Sequence, residues 1–254
     1  TLRARQSRAI SPPATELSSR RVGGSGAPGK MAIANEGLCV VSEGDLLWEP
    51  TKECIDSAPL TRFERWLNET RGLSFADYEE LRRWSVTDLE GFWSAIWDYF
   101  NVISDTPYET VLDHRVMPGA RWFDGTRINF AEHVLRHEGS GDSSQIAIHH
   151  HAEARAPGHL TWRQLGGQVR RLATRLRQSG IQPGDRIVSY MPAVPETAIA
   201  MLATIAIGAV WSSAAPEFGS STVIERFSQI EPRLMFAADG YRFAGKDFGR
   251  REEV

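Results

Sequence analysis

Residues 186–219, RIVSYMPAVPETAIAMLATIAIGAVWSSAAPEFG, decide the fold class. The short run at 187–191 is apolar without helical or alternating period, and is closed by Pro192, which suits a strand covered on both faces. Pro195 tolerates the missing N–H of a first helical turn, and Glu196 places negative charge near the helix start. Residues 197–207 are almost all apolar, so the helix they form is expected to be buried nearly all round. Gly208 supplies a stop. Residues 209–213 then make a second short strand, and a strand–helix–strand unit of this length predicts parallel strands with a right-handed crossover.

Working outward, residues 161–180 read as an amphipathic helix. Leu165, Val169, Leu172, Ala173 and Leu176 make one face, Thr161 and Gln164 form a capping box, and Gly180 stops it. The turn Pro183-Gly184-Asp185 feeds the first strand. Downstream, residues 221–230 read as a helix, Pro232 breaks it, and residues 233–238 are a further strand. Upstream, residues 145–149 are a candidate strand ending in the cluster His149-His150-His151. Adjacent residues of an extended run point to opposite faces, so three neighbouring histidines make a poor metal site, and no metal site is assigned. The alternation implies an α/β fold with a mostly parallel, helix-flanked sheet.

The preceding part reads as helical. Leu60, Phe63, Trp66 and Leu67 have helical spacing before Gly72, residues 74–84 make a second helix, and Leu89, Phe92, Trp93, Ile96, Trp97 and Phe100 form the stripe of a third. Ser85 and Asp88 offer its capping start. A stripe at this period is the mark of a core face rather than a cofactor grip. Pro118, Gly119, Asp124 and Gly125 break the chain around Trp122 and Phe123, a helix resumes over residues 129–137, and residues 139–144 form a boundary.

The 254 residues are 41% hydrophobic and 24% charged, enough for a sizeable core and more than one domain. The net charge of −3 conceals a balance of +5 over residues 1–30 and −8 over the remainder. An acidic folded part gives no electrostatic reason to expect nucleic acid as a partner. Two cysteines, Cys39 and Cys54, are too few for a disulfide scaffold, and a reducing, cytoplasmic compartment is expected. The longest apolar stretch, 197–210, falls short of the roughly 20 residues of a membrane-spanning helix, so no span is expected. Residues 1–37, rich in Ser, Pro, Gly and Arg, are expected to be a disordered or non-native leader. Gly24, Gly26, Gly29 and Lys30 spell a phosphate-loop pattern inside it. No strand precedes them, Pro28 removes an N–H, and Met31 stands where a hydroxyl residue belongs.

Four stretches then carry a resemblance in the right order. SVTDLEGFWSAIWDYFNV (85–102) and GARWFDGTRINFAEHVL (119–135) resemble the helical extension of short-chain acyl-CoA synthetases. HLTWRQL (159–165) and AMLATIAIGAVWSSAAPEFG (200–219) resemble two core motifs of the adenylate-forming superfamily. LLWEP (46–50), DYEELRRWSV (77–86) and WSSAAPEFG (211–219) are similar to the acetoacetate–CoA ligase branch rather than the acetate one. After the leader expected over 1–37, the resemblance implies a helical amino-terminal extension over 38–143 and the start of an AMP-binding domain over 144–254. It implies acetoacetate, ATP and CoA as small-molecule substrates, Mg²⁺ as the metal of the complete enzyme, and a place in ketone-body and lipid metabolism. It also suggests that Arg242 and Lys246 meet the CoA phosphate, although the loop between them is one residue longer than in the acetate enzymes.

No Ser/Thr-Gly loop ending in Pro-Lys, no Tyr-x-x-Thr-Glu and no later lysine motif is present, so no catalytic residue is assigned in this chain. It stops at GRREEV (249–254), which reads as the start of a charged helix; the sheet is therefore expected to be incomplete at the carboxy terminus and the chain an inactive fragment. Two alternatives stay open: another short-chain acyl-CoA synthetase, and a non-catalytic interaction domain. A Rossmann-type reductase is disfavoured because residues 149–160 carry one glycine, Gly158.

Overall fold

A computed structural model describes residues 43, 46–139, 141 and 143–254. The leader expected over 1–37, its glycine-lysine pattern and Cys39 lie outside the described residues.

The first helices are α1 (Lys52–Ser57), α2 (Pro59–Arg71), α3 (Tyr78–Thr87) and α4 (Leu89–Tyr99). Helix α2 opens on proline and ends at Gly72, whose φ of 66° gives the left-handed cap that glycine adopts at little cost. Helix α3 begins later than the expected Ser74. The side chain of Asp77 accepts from the N–H of Glu80, and the Glu80 carboxylate reaches back to the N–H of Ala76. Asp88 caps α4 through the N–H of Gly91, whereas Ser85 lies inside α3 and bonds the carbonyl of Arg82 instead. The aromatic stripe is core only in part: Phe92 and Ile96 pack with Trp66, Trp84 and Tyr99 round the buried Phe63, Leu67, Leu81 and Ala95, whereas Trp93 and Phe100 are exposed. Arg71 ties α2 to α4 by donating to the Gly91 carbonyl, Ser94 Oγ and Asp98.

The glycine- and proline-broken stretch around Trp122 is a hairpin, β1 (Thr110–Asp113) with β2 (Arg121–Asp124), where the sequence suggested only a break. Phe123 stacks on Trp97 of α4 at 4.5 Å, which attaches the hairpin to the helices. Asn129 then caps α5 (Phe130–Leu135) and sends its amide to the carbonyl of Ile205. Arg136 reaches back to the carbonyls of Phe100 and Asn101.

The histidine cluster does not end a strand of the main sheet. Strand β3 (Ile146–Ala152) runs through all three histidines and pairs antiparallel with β4 (Arg155–Thr161), a two-stranded sheet of its own. The β4 segment, with proline and glycine in it, gave no strand signal. The capping box at Thr161 and Gln164 forms as expected and opens α6 (Trp162–Gln178).

The parallel sheet has three strands. Strand β5 (Arg186–Tyr190) lies between β6 (Val210–Ala214) and β7 (Leu234–Ala237), in the order β6-β5-β7, with both pairings parallel. Helix α7 (Pro195–Ala206) joins β5 to β6, and α8 (Ser220–Ser228) joins β6 to β7. Ile187 points into a core with α5, α6 and α7, while Val188 and Tyr190 point into a second core with Val223 and Phe227 of α8. Helices therefore cover both faces. Gly208 holds φ at 77°, and a Cβ there would lie 3.2 Å from Pro183, so two constraints require glycine. After β7 a hairpin follows, β8 (Gly240–Phe243) with β9 (Lys246–Gly249), and the stretch 249–254, expected to start a helix, is the end of β9 followed by turns. No helix among the described residues is long and apolar enough to cross a membrane.

Ile187 is fully buried between two parallel partners. Ile187→Ala is expected to cost about 2–5 kcal/mol in a denaturant titration, by lost transfer energy and the cavity left behind. In the first hairpin, Arg121 and, after it, His114 hold the Asp113 carboxyl down at about 2. Its stabilising contribution is present above the unfolded carboxylate value and lost as pH falls toward that folded value. A carbon-detected titration should show this low midpoint, and Arg121→Ala should raise it.

Candidate functional site

Parallel strands present their carboxyl ends on one edge, and where the chain turns opposite ways from neighbouring strands a crevice opens there. From β5 the chain passes to β6 on one side and then crosses to β7 on the other, so β5 stands at that switch point. The edge is built from residues after β5, the turn 215–219 after β6, and the β8–β9 hairpin that leaves β7 directly.

Tyr190 fixes this edge. Its ring is buried, and its hydroxyl lies 2.6 Å from the Phe218 carbonyl and 3.1 Å from that of Pro216. One phenol carries one proton, so the nearer carbonyl takes the stronger bond. Burial raises the Tyr190 pKa, which keeps the phenol a donor. The Pro216 carbonyl also accepts from Arg250 Nε at 2.9 Å, and the Arg250 guanidinium lies over the Tyr241 ring at 5.4 Å. Tyr241 in turn stacks on Phe248 across the hairpin at 5.0 Å. The turn after β6 and the hairpin after β7 are thus locked to one another through Tyr190 and Arg250.

The structure brings Arg242 and Lys246 to the two sides of one tight turn: Phe243 pairs with Lys246 and Arg242 with Asp247. Asp247 engages Arg242 in a bidentate pair, with both contacts at 2.7 Å, and this hydrogen bonding raises the guanidinium pKa and lowers the carboxyl's. Both side chains are well exposed, so the pair is a light staple on the hairpin rather than a buried anchor. Lys246 has no ion pair among the described residues and is exposed. Between the two cations, Ala244 and Gly245 both have positive φ, 50° and 74°. Their N–H groups converge on the Glu153 carboxylate from the β3–β4 turn, at 2.9 and 2.8 Å.

An open hollow of about 620 Å³ lies against the hairpin, lined by Arg242 and Arg251 but also by Asp239, Asp247, Glu252 and Glu253; Lys246 and the Ala244–Gly245 turn lie outside its lining. Successive N–H groups flanked by a fork-shaped and a point-like cation suit a phosphate. Sequence reading found both cations but missed Glu153, which lies 91 and 92 residues from its partners, and Arg250, which sits in a run of charge. Tyr190 was legible only as a core strand residue. Phe218, in the turn after β6, is exposed and carries the Arg226 guanidinium over its ring at 5.1 Å. A competing basic surface lies on α6, where Gly167, Arg170, Arg171 and Arg175 line a shallow hollow; Arg170 is paired with Glu138. The described residues include no group of three His, Cys, Asp or Glu side chains placed to hold a metal ion, the histidines of β3 included.

Residues 137–253 match the model of the AMP-binding enzyme family, and residues 78–134 match that of the acetyl-coenzyme A synthetase N-terminus. The second half of the chain is thus similar to AMP-binding enzymes. It is 42% identical over 200 residues to an acetoacetyl-coenzyme A synthetase of Rhizobium meliloti, covering 79% of this chain and 30% of that protein. It is 33% identical over 217 residues to the acetoacetyl-CoA synthetase of Rattus norvegicus, covering 84% of this chain and 32% of the relative. Among solved structures it is similar to acetoacetyl-CoA synthetase from Streptomyces lividans, with 44% identity and a TM-score of 0.76, over 82% of this chain and 32% of that one. The chain therefore spans about a third of the length of these relatives, and its α/β fold is that of the corresponding part.

Tyr190→Phe should leave the Phe218 carbonyl without its buried partner and cost about 1–2 kcal/mol. Amide exchange should quicken over residues 216–219 and 249–251 while β5 stays protected; equal exchange throughout would mean that the hydroxyl does not hold this edge.

Proposed function

We propose that this chain is the amino-terminal part of an acetoacetate–CoA ligase and contributes the face that receives the phosphate of CoA. In the complete reaction an acetoacetate oxygen attacks the α-phosphorus of ATP and diphosphate leaves. The CoA thiol then attacks the acyl carbon, and AMP leaves with the bond electrons. Both family-model matches and the acetoacetyl-CoA synthetase relatives support this reading. On it, residues 38–143 are the helical extension and residues 144–254 begin the adenylation domain. The setting is the cytoplasm and the metabolism of ketone bodies and lipids.

The observation that carries the CoA assignment is the β8–β9 turn: two cations, Arg242 and Lys246, beside two converging N–H groups at the carboxyl edge of a parallel sheet. This donor set fits a phosphate monoester, which offers three oxygens and up to two charges. Arg242 would supply a fork once shared with or released from Asp247, and Lys246 a mobile point charge. Mg²⁺ of the complete enzyme would be held by one or two carboxylates together with ATP phosphates, and none of the described carboxylates is assigned to it. None of the described side chains is assigned to the acyl-transfer chemistry itself, so the chain alone is expected to be inactive.

Binding of CoA and of dephospho-CoA, which lacks the 3′-phosphate, tests the assignment by calorimetry on the 254-residue chain. CoA should bind more tightly. Replacing both Arg242 and Lys246 by alanine should weaken CoA about tenfold and leave dephospho-CoA within about twofold. Equal affinity of the two ligands for the unaltered chain would contradict the reading.

A further inference from the structure

The two backbone donors of the β8–β9 turn are already taken. Glu153, in the connection between β3 and β4, places one carboxylate oxygen on the Ala244 N–H at 2.9 Å and the other on the Gly245 N–H at 2.8 Å. Successive backbone N–H groups in a turn of positive φ form a concave donor pair that selects anions. Ala244, with φ of 50°, sits in a conformation that side-chain-bearing residues adopt at a cost, and the Glu153 contact is what the turn gains there. The two oxygens of a carboxylate and two of the oxygens of a phosphate present similar spacing to such a pair. Arg242, whose pKa is raised first by Asp247, also feels the charge of Glu153, so the carboxylate lies within electrostatic reach of the cations assigned to the ligand.

We propose that the Ala244–Gly245 turn is an anion site and that Glu153 is its built-in occupant, a carboxylate that an incoming phosphate must displace. This rests on the CoA reading for the identity of the physiological ligand, but the anion site itself stands on the geometry of the turn. Displacement has a structural consequence. Glu153 joins the β3–β4 sheet to the β8–β9 hairpin, and Arg155, two residues on, is paired with Glu196 at the start of α7 at 2.9 Å. A phosphate on the turn therefore releases Glu153 from β8–β9, while Arg155, at the same tip of the β3–β4 hairpin, stays paired with Glu196 of α7. The contact acts as a latch that opens when the ligand's phosphate arrives, and it lowers affinity for any ligand lacking enough charge to compete with a carboxylate.

The test follows the Ala244 and Gly245 amide resonances of the full 254-residue chain during titration with inorganic phosphate, for the unaltered chain, Glu153→Gln and Glu153→Ala. Phosphate should shift both amides in all three, at a concentration about fivefold lower in the two variants, because the competing negative charge is gone. Amides unmoved by phosphate in every form, or moved at the same concentration with and without the carboxylate, would overturn the proposal. Glu153 is exposed, so the variants are expected to fold, and an unchanged spectrum for β5 verifies it. Repeating the titration with CoA and dephospho-CoA separates the two readings. If phosphate shifts the amides but CoA does not, the latch stands and the CoA assignment falls. If CoA binds through its 3′-phosphate with no gain in Glu153→Gln, the assignment stands and the latch falls.

Discussion

Strand β5 has hydrogen-bonded neighbours on both edges and helices on both faces, and this fourfold enclosure is the constraint on which the rest of the chain depends. A strand so placed cannot alternate apolar with polar, because both side-chain directions lead into a core. Ile187 and Val188 are fully buried on opposite sides, and their neighbours α7 and α8 are apolar where they meet them. The enclosure also fixes topology. With α7 on one face and α8 on the other, β6 and β7 must flank β5, and the chain must reverse direction across the sheet at its carboxyl edge.

That reversal makes the crevice, and the crevice is stiffened by polar contacts rather than by apolar packing. Tyr190 spans from the core to the turn after β6, Arg250 spans from that turn to the hairpin after β7, and Glu153 reaches the same hairpin from outside the parallel sheet. Each link joins segments far apart in sequence. An edge held this way can exchange one polar partner for another without disturbing the core beneath it, which is what a ligand-binding edge requires.

The parts legible in the sequence were those fixed by local chemistry. The capping box at Thr161, the cap at Asp88, the stops at Gly72 and Gly208 and the buried run at 187–191 each reflect a backbone group or a face that must be satisfied on the spot, and each element formed where its signal stood. The hairpins were missed for the opposite reason. Strands β1 and β2 have only 4 residues each, and β4 carries arginine, proline and glycine; they hold because of what they pack or pair against. The start of α3 lies after Ser74 because the cap and its reciprocal bond form at Asp77 and Glu80. At the site, Arg242 and Lys246 could be read from charge and a turn glycine, and the resemblance gave them a role. Glu153 could not be read, since only the fold brings a hairpin tip to a turn some 90 residues later.

On the proposed function, ligand phosphate meets the carboxyl edge of this sheet rather than the other basic surface on α6. Hydrogen exchange of the chain with and without CoA tests it most directly. Slowed exchange confined to residues 215–219 and 240–249, with α6 unchanged, is the expected result; slowed exchange at Arg170, Arg171 and Arg175 with the β8–β9 hairpin unchanged would contradict it.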